Sequence, residues 1–71
     1  MITFEPLWRT LKTKGMNKGD LQKLARLSSS TVAKLAKNEK VSLDVVERIC
    51  MKLRVPIYDV VEVKPNDPVQ Q

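Results

Sequence analysis

The sequence contains no histidine, and this absence removes much of the chemistry open to a small protein. Without an imidazole it lacks the side chain that titrates near neutral pH and serves as the base in Ser-His-Asp and Cys-His systems. The single cysteine, Cys50, cannot form an intramolecular disulfide, and without histidine there is no nitrogen and sulfur ligand set for zinc. We therefore expect no catalytic residues, no metal site and no cofactor.

Glycine, aromatic residues and long apolar runs are also scarce. The two glycines, Gly15 and Gly19, cannot form a glycine-rich phosphate loop, and there are only three aromatic residues. No apolar run approaches the roughly 18–20 residues of a membrane span, and the N-terminus lacks the pattern of a signal peptide. No paired carboxylates stand out as an acid–base site. These absences predict a cytoplasmic, non-enzymatic protein that works by binding.

The length of 71 residues allows one domain, close to the size below which a core no longer folds unaided. A core of this size supplies only ~3–5 kcal/mol of net stability. The end of the sequence is polar and interrupted by two prolines, which is typical of a flexible tail. We predict a single domain over residues 1–64 and a tail over 65–71.

Positive charge is concentrated in the first half of the sequence. Residues 1–40 carry nine basic and three acidic side chains, a net charge of +6, whereas residues 41–71 carry four basic and five acidic ones, a net charge of −1. A basic surface favours a polyanionic partner, although scattered lysines are more often a solvated surface. The position of the lysines on the helices must decide between the two.

Apolar periodicity and capping residues predict four helices, over residues 6–14, 18–25, 29–37 and 43–53. Asn17, Ser28 and Ser42 are suitable N-caps for the last three, and Gly15 and Asn38 suit left-handed helix ends. The inner faces are predicted to contain the following side chains: Phe4, Leu7, Trp8 and Leu11; Leu21, Leu24 and Ala25; Val32, Leu35 and Ala36; Val46, Ile49, Cys50 and Leu53. Pro56 can begin a final helical turn that ends near Val61.

The two ends of the domain show a different pattern. Residues 2–4 and 61–63 each alternate at period two and are candidates for short strands, paired with each other or across a dimer. Val60 and Val61 could instead extend the last helix. The fold class predicted is all-α, a compact bundle of about five short helices with a possible minor pairing of the termini.

Two short helices joined by a three-residue turn form a helix-turn-helix arrangement. Residues 17–35 (NKGDLQKLARLSSSTVAKL), and within them the spacing Leu-x6-Ser-x-Ser-Thr-Val-x2-Leu from Leu21 to Leu35, resemble the phage-repressor type of helix-turn-helix domain, the lambda-repressor-like or Cro-type family. The resemblance covers about residues 5–62. It implies a bundle that places its third helix in the major groove of DNA.

The outward face of the third predicted helix fits that role. Small hydroxyl side chains at its start allow a close approach to base edges, and a lysine one turn later can reach guanine O6 and N7. The resemblance places base reading at Ser29, Ser30 and Lys34, and Ala33 can touch a thymine methyl group. Lys37, further along, is expected to meet a phosphate, against the simpler interpretation of a solvated lysine.

Phosphate contacts are expected at two further places. The start of the second helix offers Asn17, Lys18 and free backbone amides, which attract anions. The loop after the third helix offers Asn38, Lys40 and Ser42. For Asn17, Ser28 and Ser42, capping alone is the simpler interpretation, and the two roles are compatible.

The sequence departs from the family pattern at three places. Arg26 replaces the common glycine of the turn, so the turn is expected to be slightly strained or differently shaped. Lys18 replaces a glutamine, which retains a phosphate contact but loses an amide that can brace the recognition helix. Leu11 and Ala36 stand where the family often has a buried Arg–Glu pair, a replacement that usually leaves stability intact.

Other notable side chains are assigned to packing. Cys50 is expected to be a buried structural thiol, and Trp8 and Tyr58 to pack in or beside the core. Four apolar side chains are candidates for a dimer contact: Val45, Met51, Ile57 and Val60.

Two functions remain open. The first is a sequence-specific DNA-binding transcriptional regulator of prokaryotic or phage type, a small repressor that binds double-stranded DNA as a homodimer and is associated with the nucleoid. The second is a protein-interaction module on the same fold, such as an antitoxin or anti-repressor. No membrane or small-molecule partner is expected.

Overall fold

A computed structural model describes residues 1–65, which form four α-helices and one 3-10 helix between two short strands. Their order is strand β1 (Ile2–Thr3), helices α1 (Glu5–Thr13), α2 (Lys18–Ala25), α3 (Ser29–Ala36) and α4 (Leu43–Leu53), the 3-10 helix (Ile57–Asp59) and strand β2 (Glu62–Val63). The predicted all-α bundle is confirmed, with the 3-10 helix in place of a fifth α-helix. Apart from Pro65, the predicted tail lies outside the described residues.

Side-chain caps determine where three of the helices begin. At α2, Asn17 Oδ1 accepts a hydrogen bond from the N–H of Asp20 at 2.8 Å, and Asp20 Oδ2 accepts one from the N–H of Asn17 at 3.0 Å, a reciprocal capping box. The Oγ atoms of the other two caps accept from the third helical residue: Ser28 from Thr31 at 3.1 Å and Ser42 from Val45 at 3.2 Å. All three predicted caps are confirmed.

Each of the α-helices in the described chain is followed by a residue with positive φ. The values are 69° at Gly15, 55° at Arg26, 57° at Asn38 and 58° at Arg54. In every case the next N–H donates to the carbonyl five positions earlier: Met16 to Leu11, Leu27 to Gln22, Glu39 to Lys34 and Val55 to Cys50. This Schellman arrangement satisfies carbonyl groups that a helix end would leave unpaired.

The termini of the domain pair with each other within one chain. Strands β1 and β2 are antiparallel, with Ile2 opposite Val63 and Thr3 opposite Glu62. The strands are shorter than the predicted three residues, because Phe4 turns inward ahead of α1 and is only 2% exposed. The predicted turn from Pro56 to Val61 is likewise shortened to the 3-10 helix.

The core lies where α1, α2, α3 and α4 meet, and the strand pair and the 3-10 helix close one end of it. Its buried apolar side chains are Phe4, Leu7, Leu11, Leu21, Ala25, Leu27, Val32, Leu35, Val46, Ile49, Leu53 and Val60. Trp8 and Cys50 are half-buried and pack against this cluster. Most of the predicted inner faces are therefore confirmed, although Cys50 is less buried than predicted.

Four burial predictions are wrong. Tyr58, expected to pack in or beside the core, is 73% exposed, because the short 3-10 helix turns Val60 and not Tyr58 inward. Leu24 is 39% exposed, because the inner face of α2 runs from Leu21 and Ala25 toward the half-buried Gln22, on the other side of the helix from Leu24. Ala36 is exposed because the inner face of α3 is centred on Val32 and Leu35, and Ala36 lies at its edge. Val60 is fully buried, since the 3-10 helix turns it into the core, and it cannot form a dimer contact.

No helix within residues 1–65 has the length and hydrophobicity needed to cross a membrane.

Candidate nucleic-acid interface

Helix α3 presents a polar face of short side chains and lysines to solvent. Val32 and Leu35 anchor the helix in the core, at 9% and 0% exposure. The remaining turns expose the following side chains: Ser29, Ser30, Ala33, Lys34 and Lys37. These five were predicted to face outward, and the structure places them so. Their roles toward DNA stay predictions.

The hydroxyl groups at the start of α3 form a small network around the cap. Ser28 Oγ donates to Thr31 Oγ1 at 2.9 Å and lies 3.0 Å from Ser30 Oγ. The same Oγ accepts the N–H of Thr31. The hydroxyl of Ser30 is thus held near the helix end while remaining exposed, and a hydroxyl can both donate and accept toward a base edge.

Lys34 and Lys37 form the basic part of this face. Both are exposed, and none of the ion pairs found in residues 1–65 involves them. Lys34 lies one turn after Ser30, so its four-carbon chain reaches further from the helix than the hydroxyls before it. Lys37 follows the last residue of α3, where the helix dipole favours a cation. Both ammonium groups are available to an anionic partner.

The first turn of α2 combines unpaired amides with a lysine held on an aromatic ring. The capping box uses the N–H groups of Asn17 and Asp20, and Leu21 N–H donates to the Asn17 carbonyl. The N–H groups of Lys18 and Gly19 are those that this turn offers to an external acceptor. Lys18 Nζ lies 5.0 Å from the ring centroid of Trp8. No sequence pattern marks this cation–π pair, because Trp8 lies on α1 and Lys18 on α2.

The loop between α3 and α4 contains a structural contact that the sequence did not reveal. Asn38 Oδ1 accepts the N–H of Phe4 at 2.8 Å, across 34 residues of sequence. Its oxygen is therefore engaged in the fold, and only the amide nitrogen remains as a donor for the predicted phosphate contact. Lys40 and Ser42 are both exposed, and Ser42 is in addition the cap of α4.

The turn of the helix-turn-helix contains the strain expected at Arg26, whose φ is 55°. An arginine in the left-handed region is disfavoured by about 1–2 kcal/mol relative to the right-handed one. The Arg26 carbonyl accepts from Nη1 of Arg48 at 3.4 Å, and Nη2 of Arg48 lies 2.9 Å from Asp44 Oδ2. Arg48 thus links α4 to the turn, a bracing role that sequence reasoning missed.

Residues outside this face do not form a competing metal or thiol site within the part of the chain described. No group of three His, Cys, Asp or Glu side chains there could hold a metal ion. Burial raises the pKa of the Cys50 thiol, and the nearby Asp59 carboxylate raises it further, so the thiol stays protonated at neutral pH. A groove of about 400 Å³ between α1 and the segment around Tyr58 contains none of the predicted DNA contacts.

Comparison with known proteins agrees with this geometry. The Cro/C1-type HTH DNA-binding domain matches residues 6–66. A crystal structure of the transcriptional regulator VanUg is similar to this chain, with a TM-score of 0.87 and 40% sequence identity over 92% of this chain and 87% of that one. Among curated protein sequences, none matches significantly. Because the domain match spans most of the sequence, the chain belongs to the family of Cro/C1-type helix-turn-helix DNA-binding domains.

Proposed function

We propose that this protein is a sequence-specific transcriptional regulator, a small repressor that reads the major groove of DNA with the exposed face of α3. The observation that carries the proposal is the composition of that face, in which Ser29, Ser30, Ala33 and Lys34 are exposed above a firmly buried Val32 and Leu35. Short side chains admit the helix end to the groove, and the lysine supplies a donor for guanine. VanUg, whose solved structure is similar to this chain, is described as a transcriptional regulator, which supports this assignment.

Phosphate contacts would hold α3 in register on the duplex. Lys37 lies at the end of α3, Lys40 in the following loop and Lys18 at the start of α2, and all three are exposed. Backbone amides at the start of α2 add an anion site, while Asn17, Asn38 and Ser42 can contribute beside their structural hydrogen bonds. A protein so placed would repress by excluding other proteins from the same DNA, and it would act in the cytoplasm where bacterial or phage DNA lies.

A homodimer is part of the proposal. One domain of this size buries too little surface for tight specific binding, whereas two copies read two half-sites about one helical turn apart. Exposed apolar side chains support a contact between copies: Leu43 is 78%, Met51 69% and Ile57 52% exposed. Leu43 and Ile57 line a shared groove of about 580 Å³ beside Val46. Val45, also a candidate, is half-buried.

Selection of preferred sites from a random DNA pool tests the function. We expect the selected sites to share a two-fold symmetric consensus. The Ser30→Ala/Lys34→Ala double variant should bind this consensus DNA more weakly than the unmodified protein. Lys52→Gln on α4, which removes a charge outside the interface, is the control. Sedimentation with and without the selected DNA gives the stoichiometry, and Ile57→Lys should prevent dimer formation. Binding without sequence preference would contradict the proposal. Co-purification with a stoichiometric protein partner and no nucleic acid would favour the antitoxin or anti-repressor alternative instead.

A further inference from the structure

The indole of Trp8 contacts the lysine that occupies the first turn of α2. The 5.0 Å distance from Lys18 Nζ to the ring centroid is within the roughly 6 Å over which an ammonium is attracted to an aromatic face. Trp8 is half-buried and packs against the core, whereas Lys18 is exposed. The ring is therefore the fixed partner, and the lysine side chain is the one that the contact restrains.

The charge at this helix end explains why the position of that ammonium matters. Asp20 places a carboxylate beside the start of α2, where it accepts the N–H of Asn17. A carboxylate repels a DNA phosphate, while the free N–H groups of Lys18 and Gly19 attract one. Because Coulomb interactions weaken with distance, the Lys18 ammonium offsets the Asp20 charge most when it lies close to the helix end.

A lysine that is free in solution loses much of its conformational entropy when it is fixed on a phosphate. A ring that already restrains the side chain reduces this loss. The ammonium has three N–H donors, and the aromatic face occupies one side of it, so the other donors remain available to phosphate oxygens. The two contacts are compatible and the first favours the second.

We propose that Trp8 is a positioning residue for DNA binding, whose indole holds Lys18 ready to contact a DNA phosphate at the start of α2. This inference rests on the DNA-binding function proposed above. It gives Trp8 a role in binding in addition to its packing against the core.

The test compares Trp8→Phe, Trp8→Leu, Lys18→Gln and the Trp8→Leu/Lys18→Gln double variant on the selected DNA site, by fluorescence anisotropy at several salt concentrations. Thermal unfolding first identifies a temperature at which all variants are folded. We expect Trp8→Leu to weaken binding about twofold to fivefold. It should also make the plot of log affinity against log salt shallower by up to about 1.8 in a dimer, because each of the two copies loses one phosphate contact that contributes about 0.9. Trp8→Phe, which retains an aromatic ring, should keep most of the affinity and most of the salt slope of the unmodified protein.

The double variant separates positioning from stability. If Trp8 acts through Lys18, Trp8→Leu has no further effect on affinity once Lys18 is glutamine. Lys52→Gln serves as the control for removal of a lysine outside the site. The proposal would be overturned if Trp8→Leu reduced affinity equally whether residue 18 is lysine or glutamine. It would also be overturned if Trp8→Leu left the salt slope unchanged or bound DNA more tightly. Failure of the unmodified protein to select any DNA site would overturn the proposed function itself.

Discussion

Lys34 and Lys37 lie on the same exposed face of α3, but Lys34 is proposed to contact a base and Lys37 a phosphate. A lysine that donates to guanine discriminates between bases, whereas one that meets a phosphate attracts any duplex. Lys34→Ala should therefore reduce affinity for the selected site by about 1–3 kcal/mol for each half-site and relax the preference at one base pair in each. Lys37→Ala should weaken selected and random DNA alike. Competition titrations with both DNAs measure the difference, and the same pattern for the two variants would contradict the assignment.

Asn38 serves the fold in two ways, and substitution can separate them. Asn38 adopts the left-handed conformation, with a φ of 57°, that terminates α3. Its Oδ1 accepts a hydrogen bond from the N–H of Phe4. Asn38→Gly keeps the backbone conformation but leaves that N–H without its acceptor, which should lower the free energy of unfolding by about 1–3 kcal/mol. Asn38→Asp retains both an acceptor and tolerance of the left-handed region, so it should remain close to the original stability. Urea unfolding of the two variants checks this, and equal stability would show that the hydrogen bond contributes little.

At the scale of the element, the four helix ends share one backbone arrangement but not one residue type. Gly15 and Asn38 are favourable at positive φ, whereas Arg26 and Arg54 are not. Arg26→Gly should raise the free energy of unfolding by about 1 kcal/mol, which corresponds to an increase in Tm of about 4–8 °C for a domain of this size. The Arg26 carbonyl that accepts from Arg48 is retained. Thermal unfolding measures the shift, with Lys52→Gly inside α4 as a glycine control that should destabilise; a lower Tm for Arg26→Gly would contradict the interpretation.

What the sequence predicts well is local. The caps Asn17, Ser28 and Ser42 act on N–H groups three residues away, and apolar spacing identifies Val32 and Leu35 as the anchors of α3. These features need no knowledge of the tertiary structure, so the elements and the outward face of α3 follow from them. The direction of a helix face relative to its neighbours does not, which is why the burial of Leu24 and Ala36 was predicted wrongly.

Contacts between elements could not be predicted for the same reason. The bond from Phe4 to Asn38, the bracing of Arg26 by Arg48 and the position of Lys18 over Trp8 join residues on separate elements. No short-range pattern marks such pairs, because the distance between them is set by packing. These contacts decide how firmly the predicted interface is held, and the three-dimensional structure is needed to find them.

At the scale of the whole molecule, the division of charge predicts a steep dependence of DNA binding on salt. Residues 1–40 carry a net charge of +6 and contain all three lysines assigned to phosphates, Lys18, Lys37 and Lys40, whereas residues 41–71 carry −1. A dimer would place six such lysines on the duplex. Each neutralised phosphate contributes about −0.9 to the slope of log affinity against log salt, so we expect a slope near −5 and about a thousandfold loss of affinity between 50 and 200 mM salt.

The salt slope also tests whether residues 1–40 attract the DNA and residues 41–71 do not. Lys40→Gln should make it shallower by about 1.8 in a dimer, because each copy loses one contact, and by about 0.9 if a single copy binds. Lys52→Gln removes the same charge from the near-neutral part and should leave the slope unchanged. Titrations of labelled DNA at four or more salt concentrations give these values. Equal changes in the two variants would mean that net charge alone, and not lysines placed around α3, attracts the DNA.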